Sequence, residues 1–446
     1  MGTSSADPPA DRSPFISSPE ATDFQDWKHL SSAKQGLIEQ ALIPGTCVSG
    51  IAYPKTPEAL AAVVKTRDRQ SILPCGAGSK LTWGGMVQTQ TGESLLLVST
   101  ERLNRLIDHA VGDLTVTVEA GMRFADVQAT LAKAGQFLAI DPAYPDYATI
   151  GGIVATADTG SLRQRYNSVR DMLLGLSFVR ADGQVAKAGG RVVKNVAGYD
   201  LMKLFTGSYG TLGILTQLTF RVYPLPAASE TVVLSGDAAA IAQAVQTLLS
   251  SALTPASADL CSAGLVAALG IGQGIGFAIR LQSILPSVQE QAKRLIEVGQ
   301  ALGLATAHLM EQDDVSLWQR LQERMTAAHQ SEVITCKIGI RPSEAVALLT
   351  TIEPLFTTPW YGQIHAASGL GRLAFDAATP PETLLKLRSF CQAHDGFLSV
   401  LQAPVALKQA IDVWGYAGNA LPLMRQLKQQ FDPHQRLSPH RFIGGI

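Results

Sequence analysis

The sequence is poor in cysteine. Its 446 residues include five, which lie far apart and form no Cys-x-x-Cys pair: Cys47, Cys75, Cys261, Cys336 and Cys391. An odd number at such spacing argues against a disulfide framework, and it provides no cluster for a zinc or iron–sulfur centre in this chain. We therefore expect reduced thiols, no metal site and a cytoplasmic location, with any attachment to a membrane made through partner proteins.

The sequence also lacks an excess of either charge. Lysine and arginine together number 36 against 37 acidic residues, which gives a formal net charge of −1. Nucleic acids and anionic membrane surfaces attract a basic excess, so neither is expected as a partner. No apolar run approaches the roughly 18 residues of a membrane-spanning helix, and none is predicted.

The N-terminus lacks the basic start and the apolar core of a secretory signal. It is polar and rich in proline instead, beginning Met-Gly-Thr-Ser-Ser-Ala-Asp-Pro-Pro. A segment of this composition cannot bury enough apolar surface to offset the entropy of ordering. Residues 1–22 are therefore predicted to be a disordered tail.

Apolar residues make up 46% of the whole chain and charged residues 16%. At 446 residues the chain is too long for a single hydrophobic core of ordinary size, so two domains are expected. Thr56 before Pro57 marks a helix start between two strand-like runs, which predicts a βαβ unit with parallel strands. After Pro224 and Pro226 strands and helices alternate, as in an antiparallel sheet backed by helices. The predicted class is α+β. The predicted segments after the tail are 46–226, 227–420 and 421–446.

Glycines are concentrated in short loops of the first of these segments. A strand-like run leads into Gly76-Ala77-Gly78, and further glycine-rich stretches follow at 151–152, 189–190 and 207–213. Glycine suits backbone that must approach a ligand closely. The Rossmann fingerprint needs a third glycine where Leu81 stands, and the order Gly78-Ser79-Lys80 does not fit a Walker A loop. The loops favour a large, planar, anionic ligand held by backbone, which points to a flavin dinucleotide.

In this order the loops resemble those of the FAD-binding domain of the p-cresol methylhydroxylase (PCMH)/vanillyl-alcohol oxidase superfamily, over residues 46–226. The resemblance implies a two-subdomain PCMH-type FAD-binding domain. A ferredoxin-like α+β cap domain would follow, and then a short C-terminal helical tail that packs back on the FAD domain. It also implies non-covalent FAD, since the glycine loops contain no histidine to attach it.

The resemblance further implies where FAD lies. Its pyrophosphate would follow Gly76–Ser79 and Thr149–Gly152, and its isoalloxazine would lie near Lys194–Asp200 and Gly210–Ile214. Cys75 is interpreted as a small residue beside backbone rather than as a redox group. The residues expected to hold FAD are Pro74, Cys75, Gly76, Ala77, Gly78, Ser79, Lys80, Asp141, Pro142, Thr149, Ile150, Gly151, Gly152, Ala155, Thr156, Gly160, Lys194, Asn195, Gly198, Tyr199, Asp200, Gly210 and Ile214.

Within that superfamily, the segment from Gly190 to Gly210 is similar to E-type subunits of glycolate oxidase. Relatives that act as catalytic subunits usually carry Gly-Ser-Glu-Gly-Thr, where this chain has Tyr209 instead of the glutamate. They also carry a His-x-Gly-Asp-Gly-Asn-x-His-like segment, and the nearest segment here, His365 to Arg372, lacks the second histidine and the asparagine. The resemblance therefore implies two partners, a homologous catalytic flavoprotein subunit and an iron–sulfur subunit.

Oxidation of a 2-hydroxy acid by hydride transfer to flavin needs a base for the hydroxyl proton and a cation for the carboxylate. The candidates are His365, Arg372 and Arg441, although each of these residue types is more often structural. The leading hypothesis is the FAD-binding subunit of a glycolate oxidase (glycolate dehydrogenase)-type complex. Two alternatives stay open: a stand-alone FAD-dependent D-2-hydroxy-acid dehydrogenase of the D-lactate type, and a non-catalytic flavin-fold assembly subunit.

Overall fold

A computed structural model describes residues 21–67, 70–90, 92–190, 198–326 and 333–446. The predicted disordered tail lies outside these ranges except for its last two residues, and Thr22 already begins a strand. The first sheet therefore includes a strand that precedes residue 46. Two predicted cofactor residues, Lys194 and Asn195, also fall outside the described residues.

The secondary structure of the described residues alternates strands and helices along the whole chain. The strands are β1 (Thr22–Asp26), β2 (Cys47–Pro54), β3 (Ser71–Cys75), β4 (Ser94–Ser99), β5 (Leu106–Ala110), β6 (Thr115–Glu119), β7 (Gln136–Phe137), β8 (Leu173–Val179), β9 (Val185–Gly189), β10 (Ile214–Arg221), β11 (Tyr223–Pro224), β12 (Ala228–Gly236), β13 (Ser257–Cys261), β14 (Ile275–Ser283), β15 (Ala305–Met310), β16 (Val333–Gly339), β17 (Tyr361–His365), β18 (Leu370–Asp376) and β19 (Phe397–Gln402). The α-helices are α1 (Ser32–Glu39), α2 (Pro57–Thr66), α3 (Phe124–Ala132), α4 (Ile150–Thr156), α5 (Arg163–Tyr166), α6 (Val169–Met172), α7 (Leu201–Phe205), α8 (Ala238–Leu249), α9 (Ala263–Leu269), α10 (Leu285–Ala301), α11 (Glu311–Met325), α12 (Ala345–Thr351), α13 (Pro381–Ala393), α14 (Val405–Ala410) and α15 (Leu421–Phe431).

The first sheet has the strand order β1-β2-β4-β3. Both β2 and β3 run parallel to β4, so the predicted βαβ unit is confirmed, although β4 lies between its two strands. The Thr56 side chain accepts a hydrogen bond from the Ala59 N–H and Pro57 begins α2, which is the predicted helix start. Strand β3 ends at Cys75 and delivers the chain into the first glycine loop.

The second sheet has the order β5-β6-β10-β8-β9 and is antiparallel throughout. The hairpin from β8 to β9 turns at Asp182-Gly183, as predicted, with Gly183 at φ +79°. Helices α3, α4 and α7 pack on this sheet through residues such as Val127 and Phe205. The two sheets together form the first domain, and the second glycine loop lies at the start of α4.

The chain after Pro226 forms one antiparallel sheet with the order β15-β12-β14-β13-β17-β18-β16-β19. Each half has the spatial strand order 4-1-3-2. The second half follows the sequence β-α-β-β-α-β, and the first half has an additional helix, α9, between its second and third strands. The halves join where β13 pairs with β17. Helices α8, α10, α12 and α13 cover one face, while α9 and α11 cover part of the other.

The C-terminal residues leave this second domain and return to the first sheet. The Ile72 N–H donates to the Arg436 carbonyl at 2.7 Å, and the Ser438 N–H donates to the Ile72 carbonyl at 2.8 Å. Leu437 is thereby placed beside β3 and is completely buried. The last residues of the chain thus lie next to the strand that leads into the first glycine loop.

Candidate functional site

The glycine loops of the first domain meet in one cleft of about 720 Å³. The loop after β3, the start of α4 and the turn before β10 form its walls, so segments distant in sequence share one surface. Its lining includes these predicted cofactor residues: Pro74, Cys75, Gly76, Ala77, Gly78, Ser79, Lys80, Thr149, Gly151, Gly152, Ala155, Thr156, Gly210 and Ile214.

The first glycine loop presents its backbone to the cleft. No hydrogen bond from the amides of Ala77, Gly78 or Ser79 to another described group is found. A Cβ on Gly76 would stand 2.0 Å from Oγ1 of Thr149, so only glycine fits there. Successive unpaired amides on a turn suit an anionic group such as a diphosphate.

The backbone amides at the start of α4, unlike those of the first loop, have hydrogen-bond partners. The amides of Ile150 and Gly151 donate to the carbonyls of Met122 and Ala120 at 3.0 and 2.7 Å, and Thr149 caps the Gly152 amide at 3.3 Å. The Ile150 side chain is buried in the core of the second sheet and does not line the cleft. The first loop is therefore the better source of free amides for the diphosphate.

Cys75 lines the cleft with a thiol whose pKa burial raises to about 12. A thiol of this pKa stays protonated near neutral pH and is a poor nucleophile. This supports its interpretation as a small residue beside backbone.

The segment that was predicted to hold the isoalloxazine is only partly on the cleft. Gly198, Tyr199 and Asp200 do not line it, and the Tyr199 side chain is 89% exposed. Asp200 caps the Lys203 N–H at the start of α7, so this stretch is a helix start on the surface. These three residues therefore lie outside the cleft lining, and their assignment to the isoalloxazine stays a prediction.

A second cavity lies between the first domain and the uncovered part of the large sheet. Asp141 and Gly160, predicted to bind the cofactor, line this cavity instead of the cleft, and the neighbouring Pro142 lines neither. The Pro142 carbonyl accepts a hydrogen bond from Nε2 of Gln322 at 2.6 Å, which joins the two domains. Thr156 borders both the cleft and this cavity, so the two are adjacent.

His365 stands on the cavity wall and is held by a buried carboxylate. Its Nδ1 lies 2.7 Å from Oδ1 of Asp259, which is fully buried. Asp259 also accepts hydrogen bonds from Ser161 Oγ and from Nε2 of Gln363, the latter at 2.7 Å. Because an ionised carboxylate only accepts, the His365 nitrogen that faces it carries a proton, and Nε2 of the neutral ring is left as an acceptor.

Arg372 takes part in a buried charge network that links the two domains. Oδ2 of Asp158 pairs with Nζ of Lys80 at 2.7 Å and also accepts the Ala143 N–H at 2.8 Å, while Oδ1 pairs with Arg372. Burial alone would raise the pKa of Asp158, but the two cations outweigh that effect and hold it below its ordinary value. His365 and Arg372 are thus brought together, as candidate residues of one site.

Of the further groups in this cavity, Lys337 was missed from the sequence, and Asp141 was assigned to the cofactor instead. Lys337 lines the cavity, and burial lowers the pKa of its ammonium group to about 8. Burial raises the pKa of the Asp141 carboxyl to about 6, beside His365 and Asp259. Gln363, Arg372 and Lys337 are successive register partners on three strands, so their side chains share one face. The signal was the alternation of polar and apolar residues in β16 and β17.

Arg441, the third catalytic candidate, is not in this cavity. Its guanidinium lines the cleft, where Nη2 donates to the Leu81 carbonyl at 2.7 Å. The structure therefore places Arg441 beside the predicted cofactor residues and apart from His365 and Arg372. A tertiary contact across 360 residues leaves no local pattern by which this could have been recognised.

Comparison with known proteins agrees with the cleft. Residues 48–189 match the FAD binding domain family. The solved structures that it resembles include alkyldihydroxyacetonephosphate synthase, with a TM-score of 0.69 at 17% identity over 89% of this chain and 77% of that one. Another is 4-ethylphenol oxidase from Gulosibacter chungangensis, with a TM-score of 0.67 at 16% identity over 88% of each. At these identities they show the fold alone, which is mixed α+β.

Three curated relatives illustrate the range of similar proteins. Glycolate oxidase subunit GlcD of Bacillus subtilis is 29% identical over 55% of this chain and 51% of that subunit. Glycolate oxidase subunit GlcE of Escherichia coli is 38% identical over 36% of this chain and 45% of that subunit. D-2-hydroxyglutarate dehydrogenase of Xanthomonas citri pv. viticola is 27% identical over 88% of this chain and 89% of that enzyme. The predicted class of FAD-dependent oxidoreductase is confirmed by these similarities.

The matches span about half the length of the two glycolate oxidase subunits, so their activity and assembly bear on this chain only as proposals. Within the described ranges, none of the helices is both long and apolar enough to cross a membrane. The cleft fits FAD on its own chemistry: it offers unpaired amides, positions that only glycine can occupy and a buried cation.

Proposed function

We propose that this chain is the FAD-binding subunit of a glycolate oxidase (glycolate dehydrogenase)-type complex, which oxidises a small 2-hydroxy acid to the 2-oxo acid. The observation that carries the proposal is the meeting of the FAD cleft and the polar cavity at Thr156. A base and two cations, His365, Arg372 and Lys337, line that cavity. The similarity to GlcE supports the subunit assignment.

The cavity residues divide the work of such an oxidation. When bound, FAD supplies a hydride acceptor at the boundary of the cleft and the cavity. His365, fixed by Asp259, accepts the hydroxyl proton at Nε2 as the 2-hydroxy acid loses hydride from its carbon. The proton and the hydride leave together, which balances the conversion of the alcohol to the carbonyl.

The substrate carboxylate is bound by cations of the large sheet. Lys337 forms no ion pair within the described ranges and is therefore available to it. Because Arg372 is already paired with Asp158, it contributes less than Lys337 to binding the substrate carboxylate. The ion pair between Arg372 and Asp158 joins the cavity wall formed by the large sheet to the first domain.

We propose two partners, a homologous catalytic flavoprotein subunit and an iron–sulfur subunit that receives the electrons. The similarity to GlcD and GlcE, named as subunits of one oxidase, supports this assembly. The five cysteines are free and dispersed in the structure, so electron transfer beyond the flavin is assigned to another chain. We propose a cytoplasmic location, with membrane attachment through those partners.

The first experiment tests cofactor binding. The chain purified alone is expected to be yellow with a flavin absorption band, and acid or heat denaturation should release the flavin into the supernatant. Colourless protein that takes up no added FAD overturns the proposal. Flavin that stays with the precipitated protein contradicts non-covalent binding.

The second experiment separates the candidate functions. Glycolate or D-lactate is mixed anaerobically with the chain alone and with the chain co-purified with its partners. Flavin reduction only in the complex supports the subunit assignment. Reduction by the chain alone favours a stand-alone D-2-hydroxy-acid dehydrogenase, a reading that the end-to-end similarity to D-2-hydroxyglutarate dehydrogenase also supports. A yellow chain that is reduced in neither setting indicates an assembly subunit.

A further inference from the structure

The C-terminal segment binds two of the three walls of the FAD cleft. Nζ of Lys428, in α15, donates to the Thr211 carbonyl in the turn before β10 at 2.9 Å. Further along, Arg441 binds the carbonyls of the stretch that follows the first loop. Residues from the end of the chain are therefore structural members of the cofactor site.

Arg441 is a buried cation, and one of its hydrogen-bond donors has no partner among the described residues. Its side chain is 4% exposed, and Nη2 donates to the carbonyls of Lys80, Leu81 and Trp83 at 3.4, 2.7 and 3.5 Å. Its Nε has no hydrogen-bond partner among the described residues, and no carboxylate in those ranges pairs with it. Burial lowers the pKa of the guanidinium to about 10, which still leaves it charged at neutral pH. A buried, unpaired cation on the wall of a cleft calls for an anionic ligand group.

The position of Arg441 identifies which part of FAD it meets. Its guanidinium lies 5.9 Å from the ring centroid of Tyr209. Tyr209 belongs to a hydrophobic cluster with Trp83 and Leu401, and those two residues line the polar cavity. Arg441 therefore lies towards the end of the cleft that borders the cavity. The unpaired amides of Ala77–Ser79 provide a separate place for the diphosphate.

We propose that Arg441 faces the pyrimidine edge of the flavin, at N1 and the C2 carbonyl. Two-electron reduction of flavin leaves negative charge at that edge, so a cation there stabilises the reduced form relative to the oxidised form. Arg441 is thus a positioning and redox-tuning residue contributed by the C-terminal segment. The inference rests on FAD binding alone and does not depend on which hydroxy acid is the substrate.

The test compares three variants of the full chain by FAD affinity and by midpoint potential. Arg441→Met removes the charge, and Arg441→Lys keeps it. Lys408→Met is the matched control, because the buried Lys408 amine binds the Thr82 and Gly84 carbonyls of the same stretch without lining the cleft. We expect Arg441→Met to weaken binding of reduced FAD relative to oxidised FAD about tenfold, a lowering of about 30 mV for a two-electron couple.

Arg441→Lys and Lys408→Met are expected to leave the potential unchanged. An equal fall in Lys408→Met would reduce Arg441 to a support for the backbone and overturn the proposal. So would a large loss of FAD affinity in Arg441→Met with no change in potential, since that outcome assigns the cation to the diphosphate. A fall in Arg441→Lys as large as in Arg441→Met would contradict a role for the charge.

A measurement on the unaltered chain covers the case in which Arg441→Met does not fold. Reduction with dithionite at pH 6 should give the absorption spectrum of reduced flavin deprotonated at N1, because the cation favours that anion. A spectrum of the neutral reduced flavin overturns the proposal. Colourless protein would instead count against FAD binding itself, so the two failures are distinguishable.

Discussion

Asp259 and His365 face each other across two paired strands. They are direct register partners on β13 and β17, and Oδ1 of Asp259 lies 2.7 Å from Nδ1 of His365. The strand pairing therefore fixes both the distance and the ring orientation. Because Ser161 also donates to Asp259, the first domain contributes to holding the pair.

Replacing Asp259 by asparagine should slow the hydroxy-acid reaction. An amide can donate to Nδ1 and reverse the tautomer, which removes the acceptor at Nε2. We expect substrate-dependent flavin reduction to fall by at least about 100-fold, the usual scale of general base catalysis. Anaerobic stopped-flow absorbance with the complete complex measures it. Asp376→Asn, an exposed aspartate in the same domain, is the control. Equal rates in both variants would show that His365 does not act as the general base.

Substrate binding should weaken in alkaline solution. Burial lowers the pKa of Lys337 to about 8, so the ammonium that binds the carboxylate is charged below that pH and neutral above it. The KM for the hydroxy acid should therefore rise about tenfold for each pH unit above 8.

Lys337→Arg supplies the control for this pH dependence. Because arginine stays charged throughout the range, its KM should be flat up to pH 10. A KM in the unaltered protein that does not change between pH 7 and pH 10 would show that Lys337 does not bind the substrate. The measurement is the initial rate over a series of substrate concentrations at each pH.

FAD affinity should depend on the glycine at position 76. The Cβ of Gly76→Ala would stand 2.0 Å from Oγ1 of Thr149 and would displace the loop. We expect FAD to bind at least about tenfold more weakly, a loss of about 1.4 kcal/mol. Fluorescence titration of the apoprotein with FAD measures it. Gly112→Ala, where a Cβ meets nothing within 4 Å, should bind FAD normally. Wild-type affinity in Gly76→Ala would show that this loop does not touch the cofactor.

The charge network at Asp158 should contribute to stability. Asp158→Asn leaves Lys80 and Arg372 buried beside each other without their counter-ion. Removing one partner of a buried pair typically costs about 3–5 kcal/mol in the free energy of unfolding. Urea unfolding at pH 7 measures the loss, against Asp376→Asn as a surface control expected within about 0.5 kcal/mol.

The same network makes the free energy of unfolding depend on pH. Because the pKa of Asp158 is lowered by folding, its contribution is present above the ordinary aspartate pKa of about 4. It is lost as the pH falls through the lowered folded value. Unaltered stability of Asp158→Asn at pH 7 would show that the two cations find other partners.

The cleft could be predicted from the sequence because its requirements are local. Gly76, Gly78, Gly151 and Gly152 indicate backbone that must approach a ligand closely, whatever the fold of the rest of the chain. The βαβ unit and the Asp182-Gly183 hairpin were predicted for the same reason, since Thr56-Pro57 and Asp-Gly are signals within a few residues.

The polar cavity could be predicted only in part. His365 and Arg372 were candidates by residue type, but Asp158, Asp259 and Lys337 come from three separate segments that only the folded domains bring together. Asp141 and Gly160 were assigned to the cofactor because they share the small-residue stretch with Thr156, which borders both spaces. Tyr199 was placed beside the flavin although Asp200 makes that stretch a helix cap.

The return of the C-terminus to β3 has a consequence for biosynthesis. The strand-like stretch around Leu437 and the guanidinium of Arg441 pack on the first domain, yet they are translated after the whole second domain. The whole eight-stranded domain must emerge before the FAD cleft is complete. Cofactor capture is therefore a late event, and a chain that ends early at the ribosome would lack the residues that close the site.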